Sequence, residues 1–600
     1  MLGGFVELLS GTHFNMDMIE ESQLELEESL ISTRPMQQPI SEPAVDQIHS
    51  PLQWGDINLF HTGDVHGWYA GHLLEPNFGA DFGDFLSLTY HLQGIANSTL
   101  TDVLFVDSGD RSQGNGLSDA SDPKNIYSDP IFEAIPYDLV TPGAAELSNA
   151  TLLSAEAALA ARLGDIYVSS NVDASVKVKD SSSKVPKPLA SQYRLWNTTN
   201  QSLRTLGLGF SSNSTTVLKN KSVKVKGIDT VILEPWFQQL LSNYINVSAN
   251  ALDQIVIAGN MPIRTSVGYV QLLAAIRTVN PVIPVIFLGG ASKVRDFKIF
   301  DRMAVGLQSG RYADTIGFTS LNLTTSEFQR SYIDFNRQSL AYHSNLAGEE
   351  FDTVEGLDLT DTIATSRELL ALDSSITTIP TTYYRDIVPI EDPSSVYHLL
   401  KTKVLPLVQN LLRPGLPTYL TLSTDSIKYD IIEGNWTKDS EYIVAPGSEK
   451  FLYLANLPIN IADSLLTIIN TSPSTDLTKL DIRGYHHQWV MANSTLLTPG
   501  YGTNDDLGAD GDDTKHIAWT FYPIPRAIQA QRNVTVGTPV VDYVFDTGLA
   551  PLVFSGLVQL GMPWLIKPSL YSAQTLKSII EEYFISLASP APPIGEFVDK

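Results

Sequence analysis

Ile57-Asn58-Leu59-Phe60-His61-Thr62-Gly63-Asp64-Val65-His66-Gly67 is the stretch that decides the fold. Residues with strand character run straight into a turn that ends on Asp-x-His-Gly. A strand that delivers a carboxylate and an imidazole two residues apart at its carboxyl end makes half a metal site. A second strand-like run, Val103-Leu104-Phe105-Val106-Asp107, ends in Ser108-Gly109-Asp110. Two apolar strands, each releasing an Asp into a Gly-containing turn, predict a buried sheet whose C-terminal edge carries the chemistry.

Outward from that stretch the pattern repeats as strand, turn and helix. Residues 82–94 read as helix and Ala155–Leu163 as an alanine-rich helix, while Ile166–Val172, Thr205–Phe210, Gln254–Ala258 and Val282–Leu288 read as strands. Helical stretches at 235–245 and 268–279 intervene, and 173–204 reads as a polar surface excursion. Strands alternating with helices argue for stacked α/β layers. The register changes around 345–375, where Leu357–Leu372 reads as a connecting helix. A further domain follows, with helices near 394–412 and 459–470. The expected division is an acidic, Pro-rich leader over 1–51, a first domain over 52–345, a connecting segment over 346–375, a second domain over 376–590 and a tail over 591–600.

The chain has 600 residues, enough for two to four domains with sizeable cores. Its formal charge of −27 argues against nucleic acid or an anionic membrane surface as partner, since either would repel it. No stretch reaches the roughly 18 uninterrupted apolar residues of a transmembrane helix. The chain has no cysteine, which removes disulfides, thiolate ligands and cysteine nucleophiles together. Asn-x-Ser/Thr sequons occur at Asn97, Asn149, Asn197, Asn200, Asn213, Asn220, Asn246, Asn322, Asn435, Asn470, Asn493 and Asn533. They fall largely in polar loops, where a glycan could be carried, and point to the secretory pathway, vacuolar or extracellular. Against this, Met1–Leu9 lacks a basic n-region and is interrupted by Glu7, so it makes a poor signal peptide.

The Asp-x-His-Gly at 64–67 and Gly109-Asp110 resemble the 5'-nucleotidase branch of the calcineurin-like metallophosphoesterases. Gly83-Asp84-Phe85, Asp107–Asp110, Gly114–Asp119 and Ser309-Gly310-Arg311-Tyr312 resemble its fungal members, over roughly residues 52–560. The resemblance implies a four-layer sandwich followed by an α+β nucleotidase-type domain, seen in Asn435-Trp436-Thr437 and Tyr442–Pro446. It also implies two divalent metals, zinc or manganese, bridged by a carboxylate and a water. Asp64 and His66 would hold the first ion and Asp110 would bridge.

The remaining blocks keep their glycines and lose their ligands. The family's Gly-Asn-His-Glu reads Gly143-Ala144-Ala145-Glu146, so the catalytic acid position is Ala145. Its Gly-His after a strand reads Gly259-Asn260, and its Gly-Gly-His-Ser-His reads Gly289-Gly290-Ala291-Ser292-Lys293. Alanine offers no lone pair, and protonated lysine only donates. Lys293 is expected to stand near Asp64 and Asp110 as a counter-ion. The family's base-stacking aromatics are also replaced, at Gly447 and at Asp512-Asp513-Thr514, leaving Asp512, Asp513 and His516 as substrate-binding candidates. The expectation is a pseudoenzyme holding no metal or one weakly bound ion on Asp64, His66 and Asp110, with a protein partner or a phosphorylated small molecule as ligand. The alternative is an active metal-dependent phosphoesterase acting on nucleotides or other phosphomonoesters. A bland reading of the same residues is a turn whose Asp caps the next helix.

Overall fold

The computed structural model describes residues 50–588 apart from 176–185, 214–216, 218–219, 472–521 and the single positions 250, 293, 347 and 411. Strands β1 (Ile57–Thr62), β2 (Asp102–Asp107) and β3 (Leu139–Val140) run parallel. The chain then builds a second sheet from β4 (Arg194–Asn197), β5 (Arg204–Ser211), β6 (Gln254–Asn260), β7 (Val285–Gly289), β8 (Arg295–Asp301) and β9 (Ala304–Ser309). It returns to the first sheet with β10 (Thr315–Asn322) and β11 (Glu327–Asp334). The sheet orders are β11-β10-β1-β2-β3 and β8-β9-β7-β6-β5-β4.

Side-chain alternation explains why these strands stack. Ile57 and Leu59 of β1, Leu104 and Val106 of β2, Val256 and Ala258 of β6, and Ile286 and Leu288 of β7 form one core between the sheets. The intervening Phe60, Val103 and Phe105 face outward into a core with helices α1 (Phe82–Thr99) and α4 (Val354–Leu369). Ile255, Ile257, Val285 and Phe287 do the same for α3 (Val267–Val279). Sheets apolar on both faces must be covered on both, which yields helix–sheet–sheet–helix. Helix α2 (Ala150–Leu163) packs beside the first sheet, and its Leu159 joins that outer core.

Helix α1 opens with a reciprocal capping box. Asp81 accepts from the Gly83 and Asp84 amides at 2.7 and 3.0 Å, and Asp84 accepts from the Asp81 amide at 3.0 Å. Gly83 is required where α1 crosses α4. A Cβ there would stand 2.2 Å from Thr360 Oγ1 and 2.3 Å from the Gly356 carbonyl. The connecting helix read at 357–372 spans Val354–Leu369 and packs on the first core.

The C-terminal half holds a five-stranded sheet. Its strands are β12 (Thr418–Ser423), β13 (Phe451–Pro458), β14 (Ala527–Arg532), β15 (Val540–Asp546) and β16 (Ser569–Ser572), in the order β14-β12-β15-β13-β16. Helices α5 (Ile459–Thr471) and α6 (Ala550–Gln559) cover one face, and α7 (Leu576–Ala588) covers the other. Trp68 and Tyr312 of the first half are buried in that second core.

Three readings of the sequence need correction. The run Ile166–Val172 forms no full strand: after a 3-10 turn, Tyr167 and Val168 make only isolated bridges, and a strand begins at Val172. The excursion at 173–204 contributes β4 to the second sheet. The helices at 235–245 and 394–412 each pass from α into a π turn, at Leu241–Ile245 and Leu400–Val404.

Candidate metal centre

Beyond its last residue, β1 continues to pair with the chain that leaves β2. The Asp64 amide donates to the Gly109 carbonyl and the His66 amide to the Asp110 carbonyl, both at 2.9 Å. Asp64, His66 and Asp110 all sit at positive φ, 52°, 51° and 58°. Left-handed backbone is unusual outside glycine, and its concentration at three side chains of one site marks a conformation held by its surroundings. Gly143 permits the next loop to close in, since a Cβ there would lie 2.1 Å from the Asp110 nitrogen.

Ligand atoms of Asp64, His66 and Asp110 all lie within 4.8 Å of one another. Among the described residues this is the cluster of three or more His, Cys, Asp or Glu side chains that meets that separation. His66 Nδ1–H donates to the Ser112 carbonyl at 3.0 Å, which leaves the lone pair on Nε2. Its ring packs edge-on against Tyr312, centroids 5.5 Å apart. Two carboxylates and one oriented imidazole fit a single divalent ion of the zinc or manganese kind.

The positions that lack ligands are not idle. Asp64 accepts from Asn260 Nδ2 at 3.1 Å and from the Ala291 amide at 2.7 Å. Asp110 Oδ1 accepts from the Ala145 amide at 2.7 Å, and Ala144 donates its amide to Asn260 Oδ1 at 3.3 Å. Asn260 and the alanines thus turn N–H groups toward the carboxylates where a second cation's ligands would need lone pairs. Lys293, Asp512, Asp513 and His516 lie outside the described residues.

Glu146 explains why the emptied Gly-x-x-Glu block keeps its ends. Fully buried, it accepts from the amides of Asp110, Ser112 and Gly143 at 3.0, 3.0 and 2.9 Å, tying two loops together. Burial pushes the Asp110 carboxyl up to about 7, and the Glu146 charge pushes the same way against the Ala145 amide and the side chains of Asn260 and Asp64. Arg111, next in the chain, does not neutralise it by contact. Its guanidinium turns into a buried ion pair with Glu156, which also accepts from the Tyr167 hydroxyl.

One histidine close to the centre was not singled out in the sequence. His61 points between the sheets, with Nδ1 2.5 Å from Ser309 Oγ and Nε2 3.0 Å from Ser108 Oγ. Burial drives its pKa down to about 3, so it is neutral and unavailable as a cation. The signal was readable, since His61 shares the inward parity of Ile57 and Leu59. His72 is fully buried and bonded to both halves of the chain.

Comparison with known proteins agrees with this geometry. Residues 382–553 match the family profile described as NAD nucleotidase, C-terminal domain. An uncharacterised protein of Schizosaccharomyces pombe is 32% identical over 536 residues, covering 83% of this chain and 85% of that protein. A protein of Arthroderma benhamiae named as a secreted protein is 31% identical over 606 residues, covering 87% and 89%. The crystal structure of a 5'-nucleotidase from Candida albicans superposes with a TM-score of 0.80 at 34% identity, covering 90% of this chain and 100% of that one.

Proposed function

Because the chain belongs to the 5'-nucleotidase family of metallophosphoesterases, we propose that it is a catalytically impaired member that binds one divalent ion and a phosphate-bearing ligand. The observation that carries this reading is the direction of the N–H groups around Asp64 and Asp110. The Ala145 and Ala291 amides and the Asn260 side chain already bond these two carboxylates. A second cation would meet donors there instead of lone pairs.

A single ion on Asp64, His66 and Asp110 would act as a Lewis acid on a phosphate oxygen. The chain's own residues orient that site. Ser112 fixes the His66 tautomer, Glu146 holds the Asp110 loop, and Asn260 restrains Asp64. At position 145 there is a methyl group and no proton to give to a leaving oxygen, a function commonly worth factors of about 10² or more. The two halves are read as two domains joined through 346–375, and the secreted relative together with the sequons supports a secretory route.

Elemental analysis after manganese or zinc loading tests the proposal, with one ion per chain expected. Two tightly held ions, or turnover of a phosphomonoester at about 1 s⁻¹ or faster in clean preparations, would overturn it.

A further inference from the structure

Five sequons of the first half gather at one edge of the sandwich, whereas Asn149 and Asn213 follow the carboxyl ends of β3 and β5. Asn97 lies at the end of α1, just ahead of β2. Asn197 closes β4 opposite Arg204, where β5 begins, and Asn200 sits in the turn between. Asn246 precedes β6, beside Ile245, whose carbonyl accepts from Asn280 just ahead of β7. Asn322 closes β10 next to Leu321, which pairs with Ile57 at the start of β1. Since β1, β2, β6 and β7 aim their carboxyl ends at the candidate centre, all of these sequons come to the opposite edge of the sandwich.

Their amides differ in what they can accept. N-glycosylation forms a bond from Nδ2 to the anomeric carbon of a sugar carried on a lipid diphosphate. It breaks that carbon's bond to the carrier phosphate, and one Nδ2 proton leaves with the carrier. A modifiable Asn therefore needs a free N–H and room in the folded protein. Asn97 and Asn197 are exposed, and their Nδ2 atoms make no bond among the described residues. Asn97 uses only its oxygen, accepting from Gln93 and Asn200 at 3.2 and 3.1 Å. Asn246 accepts from the Ser248 amide at 2.8 Å, and Asn322 from the Thr324 and Thr325 amides at 2.9 Å each. These turns engage the oxygen and leave the nitrogen unbonded among the described residues. Asn200 is different, because its Nδ2 spends both hydrogens, on Asn97 Oδ1 and on the Thr101 carbonyl at 2.7 Å. Asn220 is buried, with Nδ2 donating to the Leu147 carbonyl at 2.9 Å.

From this pattern we infer that the chain carries N-linked glycans on Asn97, Asn197, Asn246 and Asn322, and none on Asn200 or Asn220. The inference rests on the secretory reading above. Glycans on these four positions coat the base of the sandwich and block that edge against other macromolecules.

The test uses the full chain with an appended yeast secretion signal, recovered from the medium and digested with peptide-N-glycosidase in heavy-oxygen water. Mass spectrometry should find the isotope mark at all four acceptors and at neither Asn200 nor Asn220. A missing mark at any of the four, or a mark at either excluded position, overturns the assignment. Each Asn→Gln change at the four should remove one glycan. Asn220→Gln should remove none and lower Tm. The same digestion of the chain from its own cells tests the route separately: an unmodified native chain overturns the secretory reading and natural occupancy together, whereas wrong positions under forced secretion overturn the acceptor set alone.

Discussion

Two groups of buried carboxylates lie in this protein, and they are neutralised in different ways. At the candidate centre, Asp64 and Asp110 are bonded to backbone amides and to Asn260. Where the halves meet, Glu75 and Asp314 enclose His72, with Nδ1 3.1 Å from Glu75 Oε1 and Nε2 3.0 Å from Asp314 Oδ1. Burial pulls the His72 pKa down, but the charges and hydrogen bonds of Glu75 and Asp314 outweigh it and push it up to about 10. The second group thus contains its own cation. The first is held through backbone amides and the Asn260 amide. Trp68 stacks on His72 at 4.2 Å and on Tyr312 at 5.1 Å, so the self-sufficient group is also packed into the second core.

The largest expected effect comes from removing the internal cation. His72→Leu leaves Glu75 and Asp314 buried without it, a loss of about 3–5 kcal/mol. Asp110→Asn keeps an acceptor for the Ala145 amide and removes a carboxyl held close to Glu146, so it should stay within about 1 kcal/mol of the parent. Urea unfolding of both variants checks the pair. Equal losses would erase the distinction between the two groups.

The sign of the pH dependence follows from the same contrast. The folded pKa of His72, about 10, lies above its ordinary 6.5. Its contribution is fully present below 6.5 and is lost as pH rises through 10. The folded pKa of His61, about 3, lies below 6.5, so the unfolded chain takes up the proton first and stability falls as pH drops from 6.5 toward 3. Thermal unfolding across pH should show both limbs, and His72→Leu should flatten only the alkaline one.

Metal addition probes the first group. Manganese or zinc at 100 times its Kd should stabilise the parent by about 2.7 kcal/mol, seen as a rise in Tm. His66→Ala and Asp110→Asn should abolish the rise. A rise that survives both places the ion elsewhere.

The two groups also differ in how much of them the sequence exposes. Asp64, His66 and Asp110 are legible because each leaves an apolar strand at one sheet edge, and the alternation of Ile57 and Leu59 against Phe60 fixes the layers. What Ala144, Ala145 and Ala291 do was not legible, because it is done by backbone amides whose aim depends on loops closed by Gly143 and Glu146. The His72 group was missed for another reason. Its partner Tyr429 is 357 residues away, and no local pattern announces such a contact. The π turns at 241–245 and 400–404 escaped because a helical period gives no warning of a changed hydrogen-bond step.

A change at Tyr429 sharpens how the halves are joined. The Tyr429 hydroxyl donates to Glu75 Oε1 and lies 3.1 Å from His72 Nδ1, while its ring packs 5.1 Å from Trp68. Tyr429→Phe removes the hydroxyl and keeps the ring, so only the polar link from the second half is lost. Because its acceptor is charged, that link is worth about 1.5–3 kcal/mol. A double-mutant cycle with Glu75→Gln isolates it, and the two changes should be strongly less than additive because they share one bond. The ion affinity of the Asp64, His66 and Asp110 set should be unchanged in the same variant, since none of its ligands touches Tyr429. If Tyr429→Phe costs nothing, the second half holds the His72 group through aromatic packing alone, and that charged group belongs wholly to the N-terminal half.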